Sequence, residues 1–127
     1  MTVKDIVAEY SAKEIEIIEP SLLITVNKLF RYGMNADELY EITRGNWRLG
    51  DRRNSAKYAF TVYKGIVREV YRISQWIPAE ARNPNQKTKN RWRFVGEVAG
   101  EMAYCIGGEV GHYFSKGNQN PIRYLNC

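Results

Sequence analysis

Apolar and polar positions alternate with two different periods along this chain. Residues 3–18 hold Val3, Ile6, Val7 and Tyr10 at helical spacing, which predicts a short amphipathic helix punctuated by Pro20. "SLLITVNKLF", residues 21–30, is apolar and β-branched and reads as a buried strand, after which Gly33 turns the chain. "MNADELYEITRG" returns to the helical period. Asn35 can cap it, Glu38 stands three residues later as a capping box requires, Leu39 and Ile42 supply the apolar stripe, and Gly45 fits the stop.

The period of two is clearest in "KYAFTVYKGIVREVYRISQWIP". Two β-rich runs flank Lys64-Gly65, a pair suited to a tight hairpin turn. That turn sets Val62 against Val67, Phe60 against Glu69 and Tyr58 against Tyr71 on a mostly apolar face. Lys57, Thr61, Tyr63, Arg68 and Arg72 then form a basic, partly aromatic face. Glu69 is the odd member of the apolar face, either an ion-pair partner for a nearby arginine or a lone carboxylate with a raised pKa. Pro78 ends the second run. "ARNPNQKTKN" has the composition of a mobile loop, "RWRFVG" alternates as a strand, and "EVAGEMAYCIG" suggests a short helix with Val98, Met102 and Cys105 or Ile106 inward. Ile122–Leu125 reads as a closing strand.

Short strands that outnumber helices, with a helix after the first strand, predict an α+β fold, a small mixed β-barrel with two or three short helices. Residues 1–20 form a helical appendage and residues 21–127 a single domain. The 127 residues, 44% hydrophobic, suffice for one core. The chain has neither a membrane-length apolar run nor a signal-peptide pattern, so the expectation is a cytoplasmic protein without membrane contact.

Charge sharpens the picture. Residues 1–20 carry five acids and two bases, net −3, so the remainder carries +8 of the overall +5. An acidic leader on a basic body suggests a polyanion as partner, against the plainer reading of solubility. Two cysteines and one histidine, His112, cannot supply the roughly four ligands of a structural zinc, so neither metal nor cofactor is expected and both thiols should be free. The basic stretch from Arg82 to Gly96 holds five bases and no acid.

"ELYEITRGNWRLG", "AKYAFTVYKGIVREVYRISQW", "RWRFVGEVA" and "NPIRYLNC", in that order, resemble a group of small bacterial and phage domains of the PUA-like class, which includes ASCH, EVE and YTH domains. The resemblance spans roughly residues 22–126. It rests most on Thr43-Arg44-Gly45 followed by Trp47, and on the hairpin from Tyr58 to Trp76. It implies a compact barrel with a cleft beside the first helix, used by relatives to bind RNA or DNA, often with one base in an aromatic pocket. By motif position Arg44, Trp47, Trp76 and Trp92 would stand near that cleft. A complete aromatic cage and a lysine-centred catalytic motif do not map onto this chain.

The leading functional expectation is a non-catalytic nucleic-acid-binding domain. Arginines interleave with aromatics at Trp47-Arg48, Tyr71-Arg72 and Arg91-Trp92-Arg93, a pattern that neutralises phosphates and stacks bases. Arg44, Arg52, Arg53 and Arg91 are the candidate phosphate contacts, Trp47, Trp76 and Trp92 the candidate stacking groups. Asn27 and Thr43 are candidates for hydrogen-bonding a base edge. Each has a structural alternative: tryptophans fill cores, arginines snorkel, and Asn and Thr bond local backbone. A free nucleotide or small anion would use the same groups, and exposed strand edges could pair two copies into a homodimer. "GGEVG" lacks the Lys-Ser/Thr of a phosphate loop and reads as turn. His112 and Cys105 read as packing residues rather than a catalytic pair.

Overall fold

A computed structural model describes residues 12–79, 90–114 and 120–127. Six strands form one mixed sheet: β1 (Ser21–Thr25), β2 (Trp47–Arg48), β3 (Tyr58–Tyr63), β4 (Ile66–Pro78), β5 (Arg91–Val98) and β6 (Ile122–Leu125). Their spatial order is β2-β5-β4-β3-β1-β6. Only β1 and β3 run parallel; every other pair is antiparallel. The sheet curves into a half-barrel with β2 and β6 at its edges. The longest helix, α1 (Ala36–Arg44), follows β1, and short 3-10 segments span Asp51–Ser55, Gly100–Cys105 and Gly111–Tyr113.

The buried strand side chains feed two cores, because successive residues alternate faces. Leu23, Tyr58, Phe60, Val62 and Val70 fill one side, closed by Ile17, Met102, Cys105 and Val110. Leu22, Ile24, Ala59, Tyr71 and Phe94 fill the other, closed by Leu49, Tyr40, Trp47 and Trp76. Burial on both faces explains why β1 reads as a continuous apolar run rather than an alternating one.

Several elements stand where the pattern puts them. Asn35 caps α1, its Oδ1 accepting the Glu38 N–H at 2.8 Å while the Glu38 carboxylate accepts the Asn35 N–H. Lys64 and Gly65 both take positive φ, 52° and 73°, as a tight primed hairpin turn demands. Gly107 also takes a positive φ, and a Cβ on Gly108 would press on Ile15, so "GGEVG" is turn.

Other expectations are corrected. The hairpin register is right only at Val62–Val67. A bulge at Arg68 then places Glu69 opposite Thr61, Val70 opposite Phe60 and Tyr71 opposite Ala59. Glu69 therefore leaves the apolar face, and its carboxylate accepts the Val70 N–H. The supposed basic face is an interior one, where Thr61 is fully buried and Tyr71 joins the second core. The first strand stops at Thr25, and the residues after Asn46 form β2 and a 3-10 segment instead of an open loop. Residues 97–106 divide between the end of β5, with Val98 exposed, and a 3-10 segment that buries Met102 and Cys105.

Residues 12–18 hold no helix. They form an extended strap in which Ile15 N–H donates to the Glu109 carbonyl and Ile17 N–H to the Tyr113 hydroxyl. The remainder of the expected N-terminal helix, and the loop expected over 81–89, lie outside the described residues.

Candidate nucleic-acid interface

Seven of the nine expected site residues converge at the β2–β5 edge and the α1 terminus. The chain makes this cluster by a short excursion. Gly45 ends α1 against β5, so close that a Cβ would lie 2.5 Å from the Arg93 Cβ. β2 then pairs antiparallel with β5, which sets Trp47 opposite Trp92 and Arg48 opposite Arg91. The following 3-10 segment brings Arg53 over the Trp92 ring, 3.6 Å from its centre.

Most of these side chains are engaged within the fold. Thr43 is fully buried; its hydroxyl lies 2.7 Å from both the Leu39 carbonyl and the Thr61 hydroxyl. Trp47 Nε1 donates to the Thr43 carbonyl at 2.7 Å, and Trp76 Nε1 donates to the Arg53 carbonyl at 3.0 Å. Arg44 Nε donates to the Phe94 carbonyl at 3.1 Å, Nη1 reaches Glu41, and the guanidinium lies over Tyr40. Beneath them burial pushes the Tyr71 phenol above its ordinary range, helped by Glu69.

Arg53 differs from the rest. Its side chain is only 10% exposed. Nη1 donates to the Gly50 carbonyl at 2.8 Å and lies 3.7 Å from the Asp51 carboxylate. Nε is buried with no hydrogen-bond partner among the described residues. Around it a concavity of about 370 Å³ is lined by Arg48, Leu49, Gly50, Asp51, Asn90 and Trp92. Arg48, which lines it, is exposed and has no partner among the described residues; Arg91, opposite Arg48 on β5, is also exposed and donates weakly to the Asn46 carbonyl at 3.4 Å.

Arg52 and Asn27 stand apart. Arg52 donates through Nε and Nη2 to Cys127 O, at 3.2 and 2.7 Å, with its guanidinium over Tyr124. Asn27 follows β1, its Oδ1 accepting the Lys64 N–H at 3.3 Å. With Trp47 it lines a larger cleft of about 790 Å³, which Val26, Lys28, Val62 and Phe114 also border.

Arg48, Asn90 and the Gly50 turn were not among the expected site residues. A signal for Arg48 exists: "WR" at 47–48 and "RW" at 91–92 are inverse dipeptides, which antiparallel pairing brings face to face. Among the described residues no three His, Cys, Asp or Glu side chains converge as metal ligands, and no helix is long and apolar enough to cross a membrane. His112 lies against Tyr113 and 3.0 Å from Glu14. Comparison with protein families, characterised proteins and solved structures finds no match.

Proposed function

We propose that this chain is a non-catalytic nucleic-acid-binding domain of the PUA-like type, which contacts its ligand along the β2–β5 edge. The observation that carries the reading is the facing pair Arg48 and Arg91 beside Arg53. Like charges directly opposite on adjacent strands destabilise a sheet. Neither Arg48 nor Arg91 has a carboxylate partner among the described residues. A polyanion lying along the edge would neutralise both, and among the described residues Asp51 is the only acid lining the concavity beside Arg48. Trp47 and Trp76 serve this surface as its foundation: their indole N–H groups are committed to the Thr43 and Arg53 carbonyls, and Trp92 lies under the Arg53 guanidinium.

The test is fluorescence anisotropy with labelled single- and double-stranded RNA and DNA at low and moderate salt. The expected result is binding with a steep salt dependence. In Arg48→Gln/Arg91→Gln the salt slope should fall by about 1.4 for a single strand or about 1.8 for a duplex. No binding to any of the four polymers at low salt would remove this reading.

A second reading, capture of a free nucleotide, draws support from the larger cleft. Its volume of about 790 Å³ suits a small molecule. Thermal stabilisation by mononucleotides, without polymer binding, would favour it.

A further inference from the structure

The concavity at the Gly50 turn offers donors, not a stacking face. The ring face of Trp92 that borders it carries the Arg53 guanidinium, 3.6 Å from the ring centre, so no base can stack there. What remains is polar. Among the described residues Arg53 makes one hydrogen bond and one ion pair, both through Nη1, and its buried Nε has no partner. A buried cationic donor left unsatisfied costs free energy; Nε itself is closed to solvent, so an anion in the concavity stabilises the guanidinium by its charge and through the part of the side chain that borders the concavity. Arg48 stands at the same concavity without an ion pair among the described residues, and the exposed Asn90 side chain borders it too. Gly50 leaves open space where a side chain would otherwise stand.

We infer that this concavity is a subsite for one phosphate of the nucleic-acid backbone, held by Arg53 and Arg48, with Asp51 as its competitor. The inference rests on the nucleic-acid reading and gives it a fixed point: the phosphate gripped here sets the register of the strand that runs past Arg91. Asp51 is fully exposed and 3.7 Å from Arg53 Nη1, so its carboxylate weakens the site electrostatically while contributing nothing to the core.

The experiment is an NMR titration of the full-length, 15N-labelled chain, first with inorganic phosphate and then with the tightest-binding oligonucleotide. Both should move the Arg53 Nε–H and Trp92 indole signals, phosphate at millimolar concentration and the oligonucleotide far below it. Asp51→Asn, which cannot harm the fold through burial, should lower the phosphate midpoint by about two- to fivefold. Arg53→Lys keeps the charge and loses the planar guanidinium that lies over Trp92 and borders the concavity; it should weaken the oligonucleotide by about tenfold. Should Arg53→Lys unfold, the wild-type signals and Asp51→Asn still decide. If the oligonucleotide binds while the Arg53 Nε–H stays still, the subsite is wrong and the nucleic-acid reading survives. If phosphate moves that signal but no oligonucleotide binds, both proposals fall.

Discussion

The Arg53 guanidinium lies 3.6 Å from the centre of the Trp92 ring, and the Arg53 carbonyl accepts the Trp76 indole N–H at 3.0 Å. One residue of a short 3-10 segment thus joins the two longest strands of the sheet, β4 through Trp76 and β5 through Trp92. The arrangement is structural first, and any ligand role is built upon it.

Trp92→Ala should therefore destabilise the domain by about 2–4 kcal/mol, below the range for a fully buried tryptophan because Trp92 is half-buried. Trp92→Phe should recover much of that loss, since a phenyl ring still offers Arg53 a face. Urea denaturation read by far-UV circular dichroism checks both. Equal losses in the two variants would show that a ring face for Arg53 contributes nothing measurable and that the segment is held by contacts only the indole makes.

The buried hydroxyl pair gives a sharper test. Thr43 and Thr61 are both fully buried, with their oxygens 2.7 Å apart, and Thr43 Oγ1 also donates to the Leu39 carbonyl. Thr61 must then supply the proton between the two. Thr43→Val strands the Thr61 hydroxyl and should cost about 1–3 kcal/mol. Adding Thr61→Val should recover part of that cost, because no unpaired donor remains. A double-mutant cycle with no coupling between the two positions would show that water reaches the pair.

The sequence carried the local signals of this fold and missed its long-range ones. Asn35 with Glu38 announces the helix start, and Lys64-Gly65 announces the turn, because each is a chemistry of neighbouring residues. The bulge at Arg68 has no such signature. One extra residue there exchanges Glu69 for Val70 against Phe60, and with it the side chains that follow change face as far as Ile73, where a second irregularity at Ser74 resets the alternation. The candidate site follows the same division. Composition pointed to the arginines and tryptophans that gather around β5. Which of them are consumed by the fold depends on contacts as distant as Arg44 with Phe94, and Arg52 with Cys127.

Asn35→Ala should lower stability by about 1 kcal/mol, while Asn35→Gly should cost only a few tenths. The cap bond from the Glu38 N–H is exposed, so no cavity confuses the comparison. Thermal melts at neutral pH measure it. A full-sized loss in the glycine variant would point to the loop before α1, where Arg31 pairs with Glu38, rather than to the cap itself.

The acid limb of stability should depend on Glu101. Its carboxylate receives two Arg72 guanidinium nitrogens, at 2.6 and 3.0 Å, and the Tyr58 hydroxyl at 3.2 Å. The Arg72 hydrogen bond is the largest cause holding the Glu101 pKa below its ordinary value of 4.5. A carboxyl depressed in the folded state binds its proton more readily once unfolded. Its contribution is therefore complete above pH 4.5 and is lost as pH falls through the lower, folded value. The contact ties the Gly100–Cys105 segment, which covers Phe60 and Val70, to β4. Glu101→Gln should flatten the fall in melting temperature between pH 5 and pH 3 by comparison with the native chain. Glu97→Gln removes only the more exposed of the two Arg72 ion pairs and should flatten it less. Parallel acid limbs in Glu101→Gln and the native chain would show that other carboxylates govern acid unfolding.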